Sequence, residues 1–242
     1  MTWARACLAT TLLFIASHTS AAGQPRVAII IDDLGYQLAA GRRAIALPGP
    51  VAFAVLPGTP RAAALAQWAH DRGKEVLLHL PLQANAEDKD EPVGIDLDMS
   101  RETLGATFAV ALNSVPHAVG VNGHRGSLLT RHPGHMLWLM EEIRARDNLF
   151  FVDSYTTAES VAMQIAMEAG VDAVRRDVFL DPDRSPETVA RQFERMKLLA
   201  RKRGFVVAIG HPYDATLELL ENELPKLREQ GIELVTISQL VK

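Results

Sequence analysis

The chain has 242 residues, of which 48% are hydrophobic and 22% charged, the balance of a soluble globular protein long enough to bury one sizeable core. Its formal net charge of −4, with no block of Lys or Arg, argues against nucleic acid as a partner. The only cysteine, Cys7, falls in the first segment, so the rest of the chain can form no disulfide, which fits an oxidising compartment.

Residues 1 to 22, MTWARACLATTLLFIASHTSAA, open with a basic Arg5, continue in an apolar run from Ala6 to Ala16, and end in the small residues Ser20, Ala21 and Ala22. This is the pattern of a cleaved secretory signal peptide. The run is too short for a membrane span, which needs roughly 20 apolar residues, and no later stretch is comparable. The expectation is a mature protein in the periplasm or outside the cell, with no stable membrane anchor, folded as one domain over residues 24 to 242.

From Pro25 onward, short apolar runs alternate with segments of helical period. The runs are VAIIIDD, VAFAVLP, EVLLHLP, AVGVNGH, LFFVDS, a weaker DAVRRDVFLD, VVAIGHP and ELVTIS. Their apolar residues are continuous rather than alternating, so the strands are expected to be covered on both faces. Between them, PRAAALAQWAHDRG and SPETVARQFERMKLLARKRG carry helix formers and end in basic residues and glycine, as helix termini favour. The alternation predicts a parallel α/β sheet or barrel of about eight strands. Residues 84 to 98, ANAEDKDEPVGIDLD, fit neither period and read as a long surface loop.

In such folds the C-terminal ends of the strands meet on one binding face. Those ends carry Asp32 and Asp33, His79, Asn122 and His124, Asp153, Arg176 with Asp177 and Asp181, and His211. So many carboxylates and imidazoles beside apolar strands are costly unless they pair or bind a metal. One carboxylate and two imidazoles make a reasonable zinc set with a position left open. Asp33 could equally cap a following helix, and His79 could be a core histidine bonded to a carbonyl. His124, in the glycine-flanked NGHRGS, sits where the backbone must approach something closely. His211 follows Gly210, which is expected to keep its approach open. His70, His117, His132 and His135 read as surface or capping residues.

The segments IDDLG, HLPLQ, GVNGHRGS, FVDSYT, RRDVFLD and AIGHP, in that order at successive strand ends, resemble the divergent branch of the polysaccharide deacetylases over essentially the whole mature chain. The resemblance implies an irregular (β/α) barrel of about seven or eight mostly parallel strands. It also implies a divalent metal, with zinc as the expected ion, and a polysaccharide or acetylated amino sugar as substrate. On this pattern Asp32 is the base, Asp33 and His79 bind the metal, and His211 is the acid. Where the better known enzymes place a second histidine four residues after the first, this chain has Gln83, so His124 is the expected third ligand. Arg176 is expected to orient Asp32. Asn122, Gln83, Asp153, Asp177 and Asp181 are the expected substrate-side groups. The departure at Gln83 keeps open an inactive envelope-binding or scaffold protein, and a glycosidase with two separated carboxylates is a third reading.

Overall fold

The computed structural model describes residues 23–87, 93–146 and 148–241; the expected signal peptide lies outside them. The elements run β1 (Arg26–Leu34), α1 (Leu38–Ile45), β2 (Ala52–Val55), α2 (Ala62–His70), β3 (Val76–Leu82), α3 (Arg101–Asn113), β4 (Ala118–Arg125), α4 (Pro133–Arg144), β5 (Phe150–Asp153), α5 (Ala162–Glu168), β6 (Ala173–Arg175), β7 (Val178–Phe179), α6 (Pro186–Arg203), β8 (Phe205–Gly210), α7 (Asp214–Glu223) and β9 (Glu233–Leu234). The strands pair in the order β6-β5-β4-β3-β2-β1-β8-β7, with β9 on β1. Every pairing is parallel. The architecture is an irregular (β/α) barrel, as the alternation of runs and helices predicts.

The run DAVRRDVFLD, expected as one strand, is two. Charged Arg176 and Asp177 interrupt it, and they do so where the barrel fails to close. The Arg176 N–H donates to the Asp153 carbonyl on one side, at 2.9 Å, and the Asp177 N–H to the Val207 carbonyl on the other, at 2.8 Å. The chain itself therefore crosses from β5 to β8, and no helix intervenes between β6 and β7.

The pleat sorts the core into two layers. Val27, Ile29 and Ile31 of β1, Phe53 of β2 and Leu78 of β3 face outward, against Leu65, Phe108, Leu139 and Phe193 of the helices. The intervening residues Ala28, Ile30, Ala54, Leu77, Val152, Val207 and Ile209 fill the interior, together with Val235, Ile237 and Leu240 from the C-terminal segment. One pleat further along the same strands the inward positions become Asp32, His79, Asn122 and His211. The polar site thus stands on an apolar plug.

Local signals end the helices where the sequence suggests. In α6, Ser185 Oγ accepts from the Thr188 N–H at 3.3 Å. At its far end Arg201, Lys202 and Arg203 occupy the last turn and Gly204 takes a left-handed φ of 86°. The 84 to 98 segment is a tethered loop in its described part: Ile95 forms a parallel bridge with Leu82 and is buried.

Candidate active site

Asp32 and Asp33 do not alternate across β1. Between Ile31 and Leu34, two residues of β1 oppose the single Ala54 of β2, a β-bulge. Asp33 takes a left-handed φ of 60° there. The kink turns both carboxylates toward His79: Asp32 Oδ2 lies 3.7 Å and Asp33 Oδ1 3.1 Å from its Nε2. Asp33 is not a helix cap, since α1 starts at Leu38 behind Gln37. Gly35 follows at φ 140°, and a Cβ there would lie 2.1 Å from Thr59 Oγ1, so only glycine fits the exit from the bulge.

His124 completes a triangle. Its Nδ1 lies 3.0 Å from Asp33 Oδ1 and 3.1 Å from His79 Nε2. The neighbouring strands β3 and β4 bring the two histidines together, because His79 is in register with Asn122 and Pro81 with His124.

Asn122 fixes which nitrogen of His79 faces the triangle. Its amide nitrogen lies 2.9 Å from Asp32 Oδ1, and its oxygen 2.9 Å from His79 Nδ1. With the amide donating to the carboxylate, its oxygen must accept from Nδ1–H, which leaves a lone pair on His79 Nε2. Asp33 Oδ1, His124 Nδ1 and, when its ring is neutral, the lone pair of His79 Nε2 then face one point. Asp33 Oδ1 is buried there and has no donor of hydrogen-bonding geometry.

Such a cluster needs a cation. Burial alone would lower the His79 pKa, but the Asp32 and Asp33 carboxylates push it up to about 9. Burial would likewise raise that of Asp33, yet its contacts with His124 and His79 hold it far below the ordinary carboxylate range. Asp33, His79 and His124 together form a group able to hold a metal ion. Ligand atoms about 2.0–2.1 Å from a tetrahedral zinc lie about 3.3 Å from one another, close to the sides of this triangle. The donor set fits, and Asn122 supplies the buried partner that orients a metal-bound histidine.

Asp32 and His211 flank the triangle. Burial raises the Asp32 pKa, against the opposing pull of His79 and His211. His211 Nε2 lies 3.7 Å from Asp33 Oδ2, and its Nδ1 is 2.9 Å from Asp181 Oδ1. Burial would lower the His211 pKa, but the bond to Asp181 and the charge of Asp32 raise it. Gly210 faces α7 rather than an open approach, since a Cβ would meet Thr216 Cγ2 at 3.1 Å and Asp181 Oδ2 at 3.3 Å.

Asp33, Arg125 and Tyr155, at the ends of β1 and β4 and just beyond β5, all have positive φ, at 60°, 58° and 50°. Each left-handed non-glycine costs roughly 1–2 kcal/mol. Three such residues at the C-terminal ends of β1, β4 and β5 mark strained backbone around one site.

Residues 29–241 match the divergent polysaccharide deacetylase family. The chain belongs to that family. It is 37% identical to the uncharacterized protein YibQ of Escherichia coli over 98% of its own length and 73% of that protein's. Among solved structures, an uncharacterized protein of Agrobacterium tumefaciens superposes with a TM-score of 0.86 at 23% identity, over 92% of this chain and 91% of that one. The catalytic domain of a peptidoglycan N-acetylglucosamine deacetylase from Eubacterium rectale shares the fold, with a TM-score of 0.57 at 14% identity over 89% of each chain.

Of the other strand-end residues of this family member, Asp153, Arg176, Asp181 and Asn122 support the surroundings of the triangle, whereas Gln83 serves the 84 to 98 loop and Asp177 the seam. Gln83 turns away from the metal point, and its Oε1 accepts the Leu97 N–H at 3.0 Å. Asp153 is buried, with Oδ1 accepting from the Tyr155 N–H and Oδ2 from Ser160 Oγ. Arg176 donates from Nε to the Ser154 carbonyl at 2.6 Å and from Nη2 to the Tyr155 carbonyl at 2.8 Å. Its guanidinium thus reaches Asp32 through the field rather than by a direct bond. Asp177 lies on the seam, bonded to Arg203 and the Val207 N–H. Asp181 is buried beneath His211 and Asn122 behind His79, both with their polar atoms in use.

Sequence reasoning missed Thr216, whose fully buried hydroxyl donates to Asp181 Oδ2 at 2.7 Å. It also missed Tyr213, whose ring stacks on His211 at 5.3 Å. The signal was in HPYDAT, where an aromatic follows the strand-end histidine by two residues.

Proposed function

We propose that this protein is a periplasmic or secreted metal-dependent deacetylase that removes N- or O-acetyl groups from an envelope polysaccharide. The observation that carries this reading is the Asp33, His79 and His124 triangle, flanked by Asp32 on one side and the Asp181-held His211 on the other. The apolar run and small-residue end of residues 1 to 22 support the export.

A divalent ion held by Asp33, His79 and His124, with zinc the best match to two imidazoles and a carboxylate, supplies Lewis-acid chemistry, acidifying water and polarising an acetyl carbonyl. Asp32, beside His79, accepts a proton from the attacking water. Asn122 holds the Asp32 carboxylate and the His79 ring in fixed relation while that proton moves. His211 Nε2, on the far side of Asp33, donates a proton to the departing amine or alcohol. Asp181 accepts from Nδ1 and leaves Nε2 as the atom facing substrate. Water adds across the carbonyl, the C–N or C–O bond breaks, and acetate leaves.

Gln83 does not favour an inactive scaffold, because His124 supplies the third corner and Gln83 serves the loop. A glycosidase pair is disfavoured too: both Asp153 carboxylate oxygens and both Asp181 oxygens are already acceptors of internal hydrogen bonds. The test is acetate release from an N-acetylated glycan. Release that stops on chelation and returns with zinc supports the reading, whereas new reducing ends without acetate would mean a glycosidase.

A further inference from the structure

The seam between β6 and β7 holds a second chemical feature. Where no helix intervenes between β6 and β7, a cleft of about 380 Å³ opens, lined by Arg175 and Arg176 at the strand end and by Arg195 and Arg203 from α6. Its lone carboxylate, Asp177, is already engaged: Oδ1 accepts from Arg203 Nη1 at 3.0 Å and Oδ2 from the Val207 N–H at 3.0 Å. Among the described residues, Arg175, Arg176 and Arg195 have no carboxylate partner.

Arg176 is half-buried, whereas Arg175 and Arg195 are exposed and each rests against a neighbouring side chain. Arg175 lies over the Tyr155 ring at 4.2 Å and Arg176 over Phe179 at 5.0 Å, while Arg195 Nη1 reaches Gln192 Oε1 at 3.3 Å. Burial lowers the Arg176 pKa, Asp32, Asp153 and Asp177 pull it up, and the like charge of Arg195 pushes it down. Like charges gathered at an open cleft repel one another, and an anion entering it relieves that repulsion while taking forked hydrogen bonds. Three unpaired guanidiniums match more than one negative charge, as a phosphate group carries.

We propose that the seam cleft is a second binding site, for a phosphate-class oxyanion, distinct from the metal triangle. The cleft lies behind the Ser154–Tyr155 turn, whose carbonyls Arg176 holds and whose Ser154 Oγ is 3.5 Å from Asn122 Nδ2. An occupant would therefore sit one turn away from the deacetylase site without entering it.

The test is calorimetric titration at low salt with inorganic phosphate, with N-acetylglucosamine 1-phosphate and with neutral N-acetylglucosamine. Wild type is compared with Arg175→Gln, Arg195→Gln and the double variant. Each single substitution is expected to weaken phosphate binding about tenfold, as loss of a charge-assisted hydrogen bond does, with an unchanged melting temperature in the absence of ligand. Equal affinity for both phosphates identifies the free ion as occupant, and tighter binding of the sugar phosphate identifies an ester on a glycan. Phosphate bound at the metal would survive in every variant. Wild-type binding that persists undiminished in the double variant, or no binding at millimolar phosphate, overturns the proposal.

Discussion

His211 meets Asp181 twice: its backbone N–H donates to Oδ2 at 2.7 Å, and its ring Nδ1 lies 2.9 Å from Oδ1. The Thr216 hydroxyl adds a third bond, to Oδ2 at 2.7 Å. The carboxylate fixes the ring's tautomer and holds its pKa above the ordinary imidazole value, against the effect of burial. A ring so held stays protonated further into the neutral range, as a general acid must.

Asp181→Asn keeps the shape and removes the charge. Turnover of an N-acetylated substrate should fall by roughly 10²-fold, and the alkaline limb of the rate profile should move to lower pH. Bound metal should stay at the wild-type level. An unmoved alkaline limb would show that His211 is not the acid, whatever happens to the rate.

The triangle and its flanking aspartate separate by metal content. His79→Ala and His124→Ala each remove one corner and should lose metal, read by mass spectrometry of the dialysed protein. Asp32→Asn should retain metal while turnover drops by roughly 10²–10⁴-fold. Asn122→Ala, which frees the His79 ring, should weaken metal affinity by about 10–100-fold. Full metal occupancy in His124→Ala would exclude it as the third ligand.

Without metal, the triangle should respond to pH in a defined direction. The folded pKa of His79 is pushed up from 6.5 to about 9 by Asp32 and Asp33, despite burial. A raised pKa means that the protonated ring stabilises the fold fully below pH 6.5 and that this contribution is lost as pH climbs to about 9. His211 shifts in the same direction and adds to the trend. The melting temperature of chelated protein should therefore fall across this window, and zinc should flatten the fall, because the ion competes with the proton for the same nitrogen. A chelated protein whose melting temperature rises from pH 6.5 to 9 would contradict this assignment of charge.

The positions of the site residues were legible in the sequence because apolar runs such as VAIII and VVAIG stop abruptly at charged or imidazole residues. Their division of labour was only half legible. Regular strand geometry alone would put Asp32 and Asp33 on opposite faces, whereas the bulge depends on β2 offering one residue where β1 offers two, a relation that no reading of β1 alone contains. The hold of Asp181 on His211 was hidden for a similar reason: the two lie 30 positions apart and meet only because β7 pairs with β8. The split of DAVRRDVFLD was written in its central charges but could not be read without knowing that the barrel opens there.

Gln83 offers the sharpest contrast between family pattern and this chain. A histidine at this place in better known relatives invites the reading that Gln83 is a crippled ligand. In the structure its backbone carbonyl instead accepts from the Leu128 and Leu129 N–H groups at 3.2 and 3.0 Å, and its N–H donates to the Ile95 carbonyl at 3.0 Å. The side chain adds the bond to Leu97, so one residue ties the 84 to 98 loop to the start of the segment after β4. Gln83→Ala leaves the half-buried Leu97 N–H without its side-chain acceptor and should cost about 0.5–1.5 kcal/mol, with faster hydrogen exchange at Leu97. Metal content should remain that of wild type. Gln83→His should also fail to raise metal affinity, since the backbone bonds aim the side chain at the loop. A tighter metal in Gln83→His would mean that position 83 can still reach the triangle and that His124 is a replaceable third ligand.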